Sequence, residues 1–316
     1  MSVSGELLAK RSPLAPDLGA LVDEAFREVA AIANECDRKR LSKRLEQIRS
    51  GGFDLVVVRD RANPAGFLAF EKMDDEAMLR YGHVSSACDL GSETILVVAI
   101  EALEREGINS VFSLFNWPQR DALVRAADSL GFARVDRKNM IRNPDSPPIR
   151  HSLPPGIEIA SWKQEFLEMA AGVLFENSYP EDRTFHRPYR TREGCLAYVE
   201  AVTNGRYGEF KPDLSQVALH EDKLVGLLLT SRLPGVHEEI EDLAVDRPFR
   251  GQGIATALIG VMIEASAATS NNQIVLTVTS SNTRALSLYQ RLGFEVTEEV
   301  TYFTHDSAVR RTNQLL

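Results

Sequence analysis

Apolar residues recur at three- and four-residue spacing through 16–34, 38–50, 93–106 and 119–130, and again through 163–176, 191–203, 253–268 and 283–292. That is the period of a helix with one buried face. Between them lie β-rich runs, of which Gln273-Ile274-Val275-Leu276-Thr277-Val278 is the clearest. They predict strands at 53–59, 66–72, 78–85 and 109–114, then at 156–160, 215–220, 223–231, 238–245 and 273–279. Each series closes on a predicted hairpin, 132–142 in the first and 294–298 with 300–305 in the second. The order of elements therefore occurs twice. Five prolines in residues 144–156 preclude regular helix or central strand. A domain seam is expected there, dividing 1–148 from 149–316.

A shift of 162 residues superposes Gly131-Phe132 on Gly293-Phe294 and Gly91 on Gly253, with low residue identity elsewhere. The pattern reads as an old duplication, against the alternative of two unrelated α/β domains that both end helices with Leu-Gly-Phe.

Composition narrows the partners. With 44% hydrophobic and 26% charged residues the chain is an ordinary globular one. A formal charge of -9 argues against a nucleic-acid or anionic-membrane binder and favours a cationic small acceptor. Cys36, Cys88 and Cys195 lie far apart and are odd in number, so neither a disulfide framework nor a metal site is suggested. The N-terminus lacks an uninterrupted apolar segment of the secretory kind, from which cytoplasmic residence is expected.

Chemistry concentrates in the second half. The strand Glu239-Ile240-Glu241-Asp242-Leu243-Ala244-Val245 leads through a short loop into Arg250-Gly251-Gln252-Gly253-Ile254-Ala255-Thr256, where a helix begins. Glycines let backbone N–H groups approach an anion, and the free N–H groups and dipole of a helix start favour a pyrophosphate. Gly251, Gly253 and Thr256 could also open a dinucleotide fingerprint, but the next strand ends Thr277-Val278-Thr279-Ser280-Ser281, without the acid a ribose needs. Downstream, Asn282 can cap a helix, Ala285 and Tyr289 share one of its faces, and Gly293 can end it in the left-handed conformation.

Together these segments resemble the GNAT superfamily of N-acetyltransferases, whose loop reads Q/R-x-x-G-x-G/A and whose following helix reads N-x-x-A-x-x-x-Y-x-x-x-G-F. The resemblance implies an α/β (α+β) fold of two tandem GNAT-like domains, each a mixed, mostly antiparallel twisted sheet flanked by helices. It implies acetyl-CoA as co-substrate, without a metal, and transfer of its acetyl group to a primary amine by direct attack in a ternary complex. The acceptor would be a small-molecule or peptide amine, and oligomeric state is left open. The cofactor-binding positions carried over are Leu243, Ala244, Val245, Arg250, Gly251, Gln252, Gly253, Ile254, Ala255, Thr256 and Asn282, with Leu243 N–H facing the thioester oxygen. Tyr289 would protonate the departing thiolate. Glu239 and Glu241, two apart on one sheet face, are the base candidates, and the choice between them stays open.

The acceptor pocket of such a fold would be shaped by the loop 177–190, with Tyr179, Phe185, His186 and Tyr189, and by the excursion 204–213. In the first half the 162-residue shift sets Cys88 on Arg250, Asp89 on Gly251 and Ala127 on Tyr289, so that half is expected to be catalytically silent. A non-catalytic acyl-CoA sensor or scaffold is the rival reading of the whole.

Overall fold

The computed structural model describes residues 3–12, 14–73, 76–232, 237–269 and 273–307. The chain forms two compact units, 1–134 with 301–316, and 135–300. These units differ from the halves on either side of the proline-rich seam. Residues 135–142 precede that seam yet belong to the second unit, and 301–316 belong to the first.

In the first unit the order is β1 (Val3–Leu8), α1 (Pro16–Ala30), α2 (Glu35–Arg49), β2 (Asp54–Asp60), β3 (Asn63–Met73), β4 (Glu76–Val84), α3 (Ser92–Arg105), β5 (Ser110–Ser113) and α4 (Arg120–Ser129). The strands run β1-β2-β3-β4-β5, antiparallel except for the parallel pair β4–β5. β5 pairs further with residues 303–306 of β13 (Glu295–Asp306), an antiparallel match of Phe303 with Ser113 through Asp306 with Ser110. Strand β1 carried no signal in the sequence pattern.

The second unit contains β6 (Ala133–Arg142) from Val135 on, β7 (Ile157–Ser161), α5 (Leu167–Asn177), α6 (Asp182–Phe185), α7 (Arg192–Thr203), β8 (Glu209–Phe210), β9 (Gln216–His220), β10 (Lys223–Arg232), β11 (His237–Val245), α8 (Ile254–Thr269), β12 (Gln273–Thr279), α9 (Thr283–Arg291) and the first half of β13. Its strands follow the order β13-β6-β12-β11-β10-β9-β7, with β8 beside β10. Strands β11 and β12 pair in parallel, while β10 pairs antiparallel with β11, β9 and β8, β12 with β6, and β7 with β9.

Strand β10 shows why the sheet is central. Its run Leu224 to Leu229 is apolar on both sides, as a strand covered on two faces must be. Leu228 belongs to one core with Leu258, Met262, Ile274 and Leu276, whereas Leu227 and Leu229 belong to another with Trp162, Phe166, Leu174 and Val199. Helices α8 and α9 thus cover one face, and α5 and α7 the other. Among the described residues no helix is long and apolar enough to cross a membrane.

Both predicted hairpins are corrected. Residues 133–142 form one strand, β6, and 295–306 form one strand, β13. The polar stretches that suggested turns are cross-strand partners instead. Lys138 is ion-paired with Glu299, and Asn139 Nδ2 donates to Glu298 Oε2 at 3.1 Å.

Candidate active site

Strand β11 leaves β12 partway along. Their parallel register runs His237–Gln273, Glu238–Ile274, Glu239–Val275 and stops, so from Ile240 to Val245 β11 is paired only on its β10 side. At the parting point β10 and β11 slip register, Thr230 facing Ile240 and Leu229 facing Asp242, which makes Glu241 the extra residue of a bulge. Glu239 lies opposite Ser231 and Asp242 opposite Leu229. Because Ser231 and Leu229 are two apart, they share a face, and Glu239 and Asp242 share it with them. The Ser231 hydroxyl donates to Glu241, which brings that carboxylate to the same side.

The unpaired stretch of β11 carries Leu243, Ala244 and Val245 toward the phosphate loop. Gly251 and Gly253 adopt φ of 80° and 87°, left-handed values that glycine takes without strain. A Cβ on Gly251 would meet nothing within 4 Å, and one on Gly253 only Ser152 O at 3.6 Å, so the space over the loop is open. Helix α8 begins at Ile254, with Ala255 and Thr256 in its first turn and Ile254 buried beneath. The backbone conformation, the open space and the helix start together fit an anion such as a pyrophosphate.

Arg250 is built in. Its Nε donates to Val245 O at 2.8 Å, and its Nη2 donates to Asn177 Oδ1 at 2.9 Å and to Asn177 O at 3.2 Å. The carbonyl of Val245 is therefore already engaged. Burial, with Arg284 and Arg247 nearby, holds the Arg250 guanidinium below its usual pKa. Three arginines thus crowd the mouth of the loop in a chain of net charge -9. Arg247 and Arg284 escaped the sequence reading, because Arg247 precedes the loop motif and Arg284 occupies an unspecified position of the helix motif. Gln252 Nε2 donates to Pro248 O at 3.1 Å and braces the turn.

Helix α9 starts as expected. Asn282 Oδ1 accepts from Ala285 N at 3.2 Å, so its side-chain oxygen caps the helix. Tyr289, one turn further, is buried beside Phe294 with ring centroids 5.7 Å apart. Burial, reinforced by the charges of Asp242 and Asp182, raises its phenol above the ordinary value.

The opposite side of the parted strands is acidic and aromatic. Burial and then Glu239 push Glu241 up to about 8, and burial pushes Asp242 up to about 7. Glu239 is raised by burial too, against the pull of Arg137. Tyr189 donates its hydroxyl to Asp242, and Tyr189, His186 and Tyr198 pack edge to face, with His186 4.5 Å from one ring and 4.7 Å from the other. Burial drives His186 down to about 3, so the imidazole is neutral. Of the candidate pocket residues, His186 and Tyr189 meet the glutamate face. Phe185 lies under the guanidinium of Arg137 at 5.2 Å, while Tyr179 donates to Ser281 O at 3.0 Å. From the excursion 204–213, Tyr207 reaches the Tyr198 ring at 5.5 Å. Asp182, Asp242, Tyr198 and Arg137 had no signal of their own in the sequence. Among the described residues no group of His, Cys, Asp or Glu side chains is arranged to hold a metal ion.

Residues 175–294 match the model of the acetyltransferase (GNAT) family. The chain is 36% identical over 88 residues to the N-alpha-acetyltransferase MAK3 of Arabidopsis thaliana, which is 26% of this chain and 45% of that protein. It is 35% identical over 89 residues to N-alpha-acetyltransferase 30 of Schizosaccharomyces pombe, 26% of this chain and 58% of that one. The chain thus spans about half the length of these curated relatives. A GCN5-related N-acetyltransferase from Sphaerobacter thermophilus has the same fold over 95% of this chain and 96% of its own, at 21% identity and a TM-score of 0.55.

Proposed function

We propose that this chain, whose residues 175–294 match the acetyltransferase (GNAT) family, transfers an acetyl group from acetyl-CoA to the primary amine of a cationic small molecule or peptide, within a ternary complex. The observation that carries the reading is the parting of β11 from β12 immediately beyond Glu239, between an anion-shaped loop and a carboxylate-rich face. In this reading Gly251, Gly253 and the first turn of α8 receive the pyrophosphate, with Arg247 and Arg284 as added cations. The edge of Leu243 to Val245, unpaired with β12, offers backbone groups to the pantetheine arm apart from the Val245 carbonyl that Arg250 holds, and Leu243 N–H faces the thioester oxygen.

Acetyl-CoA supplies the activated acyl carbon. The chain's own residues do the rest. An amine arrives as an ammonium and is drawn to Glu239, Glu241 and Asp242. One glutamate removes its proton, directly or through water, and only the free amine has the lone pair to attack. Tyr289 is protonated at neutral pH, as any phenol at or above its ordinary value is, and so has a hydrogen to donate to the departing sulfur.

Thiol release from acetyl-CoA, measured with polyamines, aminoglycosides, amino acids and peptides, tests this. Tyr289→Phe is expected to lower kcat by about 10²–10⁴ with little change in KM for the amine. Tight CoA binding with no amine-stimulated release would select the sensor or scaffold reading instead.

A further inference from the structure

Strand β6 delivers one cation to the acceptor face. In the β6–β12 register Arg137 lies opposite Thr279, Asn139 opposite Thr277 and Ile141 opposite Val275, whose parallel partner is Glu239. Register partners share a face, so Arg137 stands on the side of the sheet that carries Glu239. Thr279 Oγ1 donates to Asp182 on that same side, which brings Asp182 to the strand pair that carries Arg137. The guanidinium donates from Nη2 to Thr277 O at 3.1 Å and covers the Phe185 ring, while its Nε is buried with no hydrogen-bond partner. It forms no ion pair among the described residues.

We propose that Arg137 is a positioning residue of the acceptor site, the shared counter-cation that favours the ionised form of Glu239, Asp182 and Asp242 so that this face can attract and deprotonate an ammonium. The inference rests on the amine-acyltransferase reading above. A half-buried guanidinium bonded to a carbonyl rather than locked to one carboxylate is free to act on several. The titratable groups around it are Glu239, Glu241 and Asp242 from β11, Asp182, Glu181 and His186 from α6 and its flanks, Tyr189 and Tyr198 from the α7 side, and Tyr289 from α9. On β6 itself Lys138 is taken by Glu299, and Asp136 lends its carbonyl to Ser280 N at 2.8 Å. Arg137 opposes the upward pull of burial on Glu239, Asp182 and Asp242, and it lowers His186 and Tyr289 as well. It also lies outside the family-matched segment 175–294.

The full chain, wild type and with Arg137→Met, Arg137→Gln or Arg137→Lys, is titrated by carbon-13 NMR of labelled Glu and Asp carboxyls, with Glu239→Gln assigning the Glu239 signal. Arg137→Gln keeps a donor for Thr277 O and serves where Arg137→Met does not fold. Loss of the charge is expected to raise the Glu239 midpoint by about one pH unit, whereas Arg137→Lys leaves it in place. The acidic limb of kcat/KM for the best amine moves upward by the same amount, about tenfold in rate below the limb. A purely structural role would lower the rate equally at all pH values. A Glu239 midpoint unmoved in a folded, charge-free variant overturns the proposal. If no amine releases thiol even in the wild type, the acyltransferase reading fails separately, while the carboxyl titration still decides whether Arg137 sets the ionisation of this face.

Discussion

The two units solve the same strand arrangement in opposite ways. Each has a central strand that leaves its parallel neighbour, and each marks the place with a bulge: Arg80 in the first, between Ala69–Tyr81 and Phe70–Leu79, and Glu241 in the second. In the first unit β4 and β5 part after Leu79–Ser113. There β5 stops, and the chain swings aside through Phe115, which is held at φ 45° and donates its N–H to Ser113 Oγ at 3.0 Å. Trp117 then packs against the freed part of β4. It stacks on Tyr81 at 5.9 Å, meets Phe115 at 5.6 Å, and its Nε1 lies 3.3 Å from where a Cβ on Gly82 would sit. Helix α3, which follows β4, has an ordinary start, Gly91 at φ -74°, where the second unit has Gly253 at 87°. Once a slot need not hold a ligand, aromatic side chains fill it and the helix start loses its left-handed glycines. This matches the eroded motif at Cys88 and Asp89, and supports the proposal that the first unit is catalytically silent.

The largest expected effect comes from emptying the filled slot. Trp117→Ala should destabilise the first unit by about 3–5 kcal/mol, the usual cost of removing a large buried aromatic, read from denaturant unfolding. Its CoA affinity, measured by calorimetry, should stay within about twofold, since no phosphate cradle is uncovered. A second CoA site in this variant would break the comparison, because infill alone would then have silenced the first unit.

The paired glycines come next. Gly253→Val forces a β-branched residue into a left-handed position of the loop and should weaken CoA binding by about a hundredfold, close to 2.8 kcal/mol. Gly91→Val meets open space at an extended φ and should change affinity by less than about twofold. Equal losses would mean that both units bind CoA.

What could be read in the sequence was whatever is local to it. Arg250 to Ala255 and Asn282 to Phe294 are short segments whose chemistry and geometry come from neighbours in the chain, and the structure builds both as a loop and a capped helix. Glu239 and Glu241 were legible as a pair on one face. Asp242 was not, because strict alternation sends it to the other side and only the bulge at Glu241 brings it back. Arg137 was hidden for a different reason. Its place depends on the pairing of β6 with β12, more than a hundred residues away, and the polar run around it mimics a turn. The same ambiguity produced the second predicted hairpin, where Glu298 and Glu299 answer Asn139 and Lys138.

The smallest expected effect concerns the bulges themselves. In the first unit Arg80 is satisfied, its Nε donating to Glu71 Oε2 at 2.6 Å. In the second, Glu241 sits beside Glu239 and is raised from 4.5 to about 8. A carboxyl whose folded pKa exceeds its unfolded one favours the fold in its protonated form. That contribution is full below pH 4.5 and is lost as pH rises to about 8. Glu241→Gln, which stays neutral, should therefore melt with the wild type at pH 5 but higher by about 2–4 °C at pH 9, a gain on the order of 1 kcal/mol. Arg80→Gln should show no such pH dependence, since its partner Glu71 is half exposed and Arg80 has no second carboxylate crowded against it at the bulge. If Glu241→Gln melts with the wild type at both pH values, the bulge glutamate carries no stored cost. A glutamate that lowers stability at the pH where it is ionised, in the unit with an open slot, is what a retained base would look like. At the corresponding bulge of the first unit stands an arginine paired with Glu71.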